Sequence, residues 1–178
     1  MRSSCWFVIP LLAFNTLGGQ SLSKSTLREA TTAVAAILDD WHLAAAQFEE
    51  ERYFSHLAPE AVFVGIDEQE RWSKAAFKKM AHPGFEARQI WNFKASQRHI
   101  TLSPSGDVAW FDELLDASTM GTVRGAGVLV KEGKTWLIAQ YALSLPIPRE
   151  AFAEVRQLIE AQKTPPASVE PKKTDPGK

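Results

Sequence analysis

Residues 108–145 read VAWFDELLDASTMGTVRGAGVLVKEGKTWLIAQYALSL, and apolar residues alternate there with polar or small ones. That period of two belongs to a pleated strand, whose successive side chains point to opposite faces. Turn signals at Ser118-Thr119 and Glu132-Gly133 divide the stretch into Val108–Ala117, Thr122–Lys131 and Lys134–Leu145. A fourth strand, Ile90–Ser103, precedes them across Pro104–Asp107. Four strands in succession with short connections predict an antiparallel meander.

The turns imply a register. A two-residue loop at Glu132-Gly133 sets Trp136 opposite Leu129, Ile138 opposite Gly127, Gln140 opposite Gly125 and Tyr141 opposite Arg124. A tight loop at Ser118-Thr119 sets Trp110 opposite Gly127, Asp112 opposite Gly125 and Glu113 opposite Arg124, and the four-residue loop sets His99 opposite Asp112 and Arg98 opposite Glu113. One face then carries His99, Thr101, Trp110, Asp112, Gly125, Gly127, Trp136, Ile138 and Gln140; the other carries Arg98, Phe111, Glu113, Leu115, Arg124, Val128, Leu137 and Tyr141. Both are too apolar to meet bulk water. One must pack on helices; the last helix, a second subunit or both must cover the other.

Upstream, Thr26–Glu51 holds no Gly or Pro, and Leu27, Ala30, Val34, Leu38, Trp41, Ala45 and Phe48 recur at three- and four-residue steps. This predicts one long amphipathic helix, with Trp41 on its apolar stripe and His42 facing solvent. A short helical turn at Arg52–Leu57, a strand at Ala61–Ile66 and a helix at Lys74–Ala81, capped by Ser73 and ended by His82-Pro83-Gly84, complete the N-terminal half. A last helix is expected over Arg149–Gln162. The class is α+β.

The two ends read differently from the middle. Arg2 precedes an apolar run, Trp6–Phe14, that is too short to span a bilayer and contains Pro10. Residues 1–21 are therefore expected to be a signal peptide, cut after Gly19 or Ser21, leaving a periplasmic or secreted protein with no membrane anchor. The leader takes the only cysteine, Cys5, with it, so no disulfide or thiol chemistry is expected afterwards. Residues 164–178 carry four prolines and three lysines and read as a disordered tail. The chain has 20 Lys and Arg against 21 Asp and Glu. With no basic cluster in the folded region, that balance argues against nucleic acid as a partner.

Five segments occur in order: Phe63-Val64-Gly65-Ile66-Asp67 with Glu70-Arg71-Trp72, Ala109-Trp110-Phe111-Asp112-Glu113-Leu114, Arg124-Gly125-Ala126-Gly127-Val128, Trp136-Leu137-Ile138-Ala139-Gln140-Tyr141, and Ser144-Leu145-Pro146-Ile147-Pro148. With the order of elements, they resemble the SnoaL-like branch of the nuclear transport factor two-like superfamily. The resemblance covers roughly residues 27–148 and implies a cone-shaped, strongly bent antiparallel sheet wrapped around N-terminal helices. It also implies an apolar pocket and, often, a homodimer formed through the sheet's outer face. The domain is thus expected over 22–148, followed by a C-terminal helix over 149–163. Because superfamily members include isomerases, cyclases, dehydratases and binders, the resemblance implies no single reaction.

The candidate site from the register is the row His99, Asp112, Gly125, Gln140, with Asp112 as general base beside His99 and with Trp110 and Trp136 as flat walls. The other reading makes His99 and Asp112 a buried structural pair. The row Arg98, Glu113, Arg124, Tyr141 reads as a cross-strand charge ladder; if its face lines the cavity instead, Arg124 and Tyr141 form an anion site. Trp72 is either a lid or an aromatic plug. The four histidines lack metal-ligand spacing, and no phosphate loop, dinucleotide fingerprint or nucleophile elbow occurs, so no metal and no cofactor are expected. Three functions follow: an exported binder of a small apolar or aromatic ligand, a cofactor-free isomerase, cyclase or dehydratase, or a protein-interaction module.

Overall fold

The structure, a computed structural model, describes residues 22–163. The expected leader and tail lie outside the described residues. Two compact units divide the chain after Ser144.

In the first unit, helix α1 (Lys24–Ala46) starts where Ser23 Oγ accepts the Thr26 N–H at 3.1 Å. Its buried stripe is Val34, Leu38, Trp41, His42 and Ala45. The helix does not run unbroken to Glu51: Phe48 takes a left-handed φ of 62°, and the chain folds back into α2 (Glu50–Ser55), which buries Tyr53 and Phe54. Strand β1 (Leu57–Val64) begins earlier than the expected Ala61 and includes Pro59. Its pairing shifts between Leu57 and Val62, the kind of irregularity where a strand tolerates a residue without an N–H.

The short strand β2 (Arg71–Ser73), absent from the sequence reading, pairs antiparallel with β1. Ser73 then caps α3 (Lys74–Glu86) through the Ala76 N–H. Pro83 lies inside α3 and does not end it. Burial of Phe85 against Tyr53, at a ring separation of 5.5 Å, holds the last turn together despite the missing hydrogen bond.

The meander follows as β3 (Phe93–Leu102), β4 (Val108–Ala117), β5 (Gly121–Glu132) and β6 (Thr135–Ser144). The sheet order is β2-β1-β6-β5-β4-β3, with β1 and β6 parallel and every other pair antiparallel. The sheet is curled and unclosed, and its concave side packs on the helices.

Two of the three expected registers are corrected. Between β5 and β6 the turn centres on Gly133 and Lys134, with φ of 62° at Gly133, so Trp136 pairs with Lys131 and Ile138 with Leu129. Glycine takes the first central position, as a type II′ turn requires. A bulge between Val128 and Leu129 then shifts the pairing once more, setting Gln140 opposite Val128 and Tyr141 opposite Gly127.

Between β4 and β5 the loop has three residues, not two. The Met120 N–H closes a turn on the Ala117 carbonyl, and Gly121 follows at φ 72°. Asp112 therefore pairs with Ala126 and Glu113 with Gly125, a slip of one residue that exchanges faces. The expected pairing of His99 with Asp112 is present.

The second unit contains a 3-10 turn (Arg149–Ala151) and α4 (Phe152–Lys163), close to the single helix expected there. None of its described residues is buried, and Phe152, Leu158 and Ile159 are exposed.

The junction of α1 and α2 carries a pH-dependent tie. Asp40 accepts from Arg52 and, at 2.7 Å, from the His56 ring. The Arg52 hydrogen bonds, helped by His56, hold the Asp40 carboxyl below its usual 3.8. A carboxylate depressed by folding contributes stability above its unfolded value and loses it as pH falls through its folded value. Asp40→Asn is therefore expected to lower the melting temperature at pH 7, with the gap to wild type closing in melts taken below pH 3.8.

Candidate functional site

The curl of the sheet brings three residues remote in sequence to one buried point. Glu113, in the middle of β4, is 0% exposed. His42 Nε2, from α1, lies 2.7 Å from Glu113 Oε1, and Arg98 Nε, from β3, donates to Glu113 Oε2 at 2.6 Å. Arg98 Nη1 continues to the helix, donating to Asp39 Oδ1 at 2.7 Å and to the Ala35 carbonyl at 3.1 Å. Burial works against the Arg98 charge, yet Glu113 and Asp39 together hold its pKa above the ordinary value.

Tyr141 enters the cluster from β6, with its hydroxyl over Gly125. A Cβ at position 125 would collide with Tyr141 Oη, so only glycine leaves the ring this place. Burial, then the neighbouring Glu113 charge, pushes the Tyr141 hydroxyl well above its usual range, with Arg98 partly opposing. Tyr53 is raised in the same sense, by burial first and then by Tyr141. These phenols stay protonated and serve as hydrogen-bond groups at neutral pH.

A column of rings runs from this cluster toward the outside. Trp41 meets Tyr141 edge-on at 4.7 Å and stacks on Tyr53 at 4.9 Å. Tyr53 lies 5.9 Å from Trp91, which stacks on Phe77 at 5.6 Å. Trp91 and Phe93 then line a hollow of about 400 Å³, bounded opposite by Ala117 and Met120 at the β4–β5 turn. Phe93 also meets the His42 ring edge-on. The interior of the cone is thus filled by its own aromatic side chains, and the hollow lies at their outer end.

The sequence-derived candidates fall into two groups. His99, Trp110, Asp112, Gln140 and Arg124 are all exposed on the outer side of the sheet, Trp110 at 47%. His99 and Asp112 face each other there, but among the described residues no hydrogen bond joins them, and the hollow does not include them. Trp136 and Tyr141 lie on the concave side, both buried. Trp72, on β2, stacks on Phe63 and Phe77 at about 6 Å. The expected charge ladder keeps Arg98, Glu113 and Tyr141 on one side but loses Arg124.

His42 is the residue the sequence reading misplaced. It is 7% exposed, not solvent-facing, although its spacing from Leu38 and Ala45 by four and three residues already put it on the apolar stripe. Glu113 carried a comparable signal, since Phe111 and Leu115 flank it at period two. Among the described residues no group of three or more His, Cys, Asp and Glu is placed to hold a metal ion.

Residues 34–148 match the family model described as a SnoaL-like domain. The chain belongs to the SnoaL-like family. Solved structures agree with this fold at low identity. A candidate scytalone dehydratase from Novosphingobium aromaticivorans is similar at a TM-score of 0.61 and 13% identity, covering 70% of this chain and 89% of its own. A candidate dehydratase of the nuclear transport factor two-like family from Streptomyces avermitilis gives 0.60 and 11%, covering 68% and 99%. A protein of unknown function from Pseudomonas putida, of the same superfamily, gives 0.55 and 16%, covering 73% and 93%. No curated protein matches the sequence.

Within this SnoaL-like domain, Arg98 is the link between β3, β4 and α1. Removing one partner of a buried ion pair leaves the other charge stranded, so Arg98→Ala is expected to cost about 3–5 kcal/mol in chemical denaturation. Gly125→Ala should also destabilise, with the near-ultraviolet circular dichroism of the displaced Tyr141 as its signature.

Proposed function

We propose that this SnoaL-like domain binds a small apolar or aromatic molecule at the open end of its cone. The observation that carries the reading is the hollow of about 400 Å³ lined by Trp91 and Phe93. Its size falls within the range of small-molecule sites, and its walls combine the flat apolar surface of Trp91 and Phe93 with the polar residues Gln89, Asn92, Ser118 and Thr119. Trp91 and Phe93 touch Tyr53 and His42, so a bound molecule adjoins the buried polar cluster.

A cofactor-free dehydratase, isomerase or cyclase is a second reading, favoured by the 2.7 Å contact between His42 and Glu113. An imidazole held by a carboxylate is a general acid–base arrangement, and Tyr141 beside it supplies a neutral hydroxyl. Two of the similar solved structures carry the word dehydratase in their names. In this reading His42 moves the proton and Glu113 orients it; the exposed pair His99 and Asp112 has no part.

Export to the periplasm or the exterior is supported by Arg2 and the apolar run Trp6–Phe14. A homodimer through the outer sheet face is supported by exposed Trp110.

The binding reading predicts that protein purified from its own compartment carries a retained small molecule in native mass spectrometry, and that Trp91→Ala loses it. An empty wild-type protein that also shows no thermal shift across an aromatic ligand panel would count against binding. Catalysis is separated by Glu113→Gln: the variant should retain a compound that the wild type releases converted, and identical compounds from both would end the enzymatic reading.

A further inference from the structure

The walls of the hollow change character from its inner surface to its mouth. Trp91 and Phe93 are half-buried, whereas Gln89, Asn92, Ser118 and Thr119 are exposed. The inner surface is therefore aromatic, and the mouth carries hydrogen-bonding groups on two sides. Gln89 and Asn92 come from the connection between α3 and β3, and Ser118 and Thr119 from the turn between β4 and β5.

Among the described residues no charged side chain lines the hollow, although charged residues make up 23% of the chain. Three charged residues flank the two lining segments, and each is directed elsewhere. Arg88, just before Gln89, takes a left-handed φ of 55°, uncommon for a residue of its size, and its guanidinium lies over the Phe48 ring at 4.6 Å. Lys94 and Asp116 are cross-strand partners one residue along from Phe93 and Ala117, so they share the opposite face of the sheet, where both are exposed. An ionic ligand finds no counter-charge in these walls, and a neutral one needs none.

The chemistry of the mouth narrows the class further. A carboxamide donates through its nitrogen and accepts through its oxygen, and a hydroxyl does both through one atom. Two such side chains on each side are complemented by a head group that donates and accepts in several directions. Hydroxyls spread around a saturated ring meet that demand; a lone carbonyl or phenol reaches one side only. The aromatic wall is already in place, because Phe77 stacks on Trp91 at 5.6 Å and Phe85 meets it edge-on at 6.4 Å.

From these observations, and resting on the binding reading above, we infer that the ligand is a neutral glycoside. Its apolar or aromatic aglycone lies on Trp91 and Phe93, and the hydroxyls of its sugar pair with Gln89, Asn92, Ser118 and Thr119 at the mouth.

Four probes sharing one aromatic ring test this by isothermal titration on the full-length protein: phenyl β-D-glucopyranoside, phenyl β-D-galactopyranoside, phenyl β-D-glucuronide and anisole. At least one neutral glycoside should bind roughly tenfold more tightly than anisole, the difference made by about one to two net hydrogen bonds, and more tightly than the anionic glucuronide. Asn92→Ala and Thr119→Val, one from each side of the mouth, should each reduce that preference by about threefold while leaving anisole affinity within about twofold of wild type. Both positions are exposed, and an unchanged melting temperature in each variant excludes a loss of fold. If anisole binds and neither neutral glycoside binds more tightly, the inference is overturned and the binding reading stands. A sugar preference unchanged in both variants overturns the placement of the sugar at this mouth, and tighter binding of the glucuronide overturns the neutral class. Binding of none of the four overturns the binding reading itself, and the inference with it.

Discussion

A buried carboxylate organises this domain. Glu113 has no exposed surface, and an ion in such a place costs several kcal/mol unless charge and hydrogen bonds reach it. Both oxygens are answered, one by His42 across 71 positions of sequence and the other by Arg98 across 15. Arg98 then reaches back to α1 at Asp39 and Ala35. The long helix cannot slide or rotate against the sheet without stranding that charge. Packing of Val34, Leu38 and Trp41 supplies the bulk of the attraction, and the polar cluster fixes the alignment.

The aromatic column depends on that alignment. Because His42 is anchored, its neighbour Trp41 is directed between Tyr53 and Tyr141. The rings continue through Tyr53 to Trp91 and Phe77 and end at the hollow beside the β4–β5 turn. Gly125 takes part by having no side chain, since the Tyr141 hydroxyl occupies the space where one would stand. One of the groups that hold the helix on the sheet, His42, also meets Phe93 at the wall of the hollow.

Small features of the turns decide what faces that interior. A three-residue loop in place of a two-residue one at Ser118–Met120, and a single bulge at Val128, exchange the partners of Asp112, Glu113 and Gln140. Neither feature changes the number or order of the strands. Each moves every subsequent cross-strand partner by one residue, and in a sheet with one side against helices that is the difference between core and solvent. Gly125 consequently lies within, beside Glu113, and Arg124 lies outside.

Much was legible in the residues alone. The period of two over 108–145, the helical spacing of Leu38, Trp41 and Ala45, and the Ser73 cap set the α+β class, the order of the elements and the likeness to the SnoaL-like domains, because these signals are local. The common side of Arg98 and Glu113 was legible too, through alternation within β3 and β4 and their pairing, whereas Tyr141 joins them because the slip at the β4–β5 loop and the β5–β6 bulge cancel. The division of α1 at Phe48, the continuation of α3 past Pro83, the strand β2 and the inward place of His42 were settled by tertiary structure. So was the pairing of β5 with both its neighbours. Each of those turns on a competition between a local preference and burial against a distant element: Phe85 overrides a proline, and Glu113 claims a histidine. Periodicity states which side chains share a face of their own strand or helix; only the packed molecule decides which face meets which.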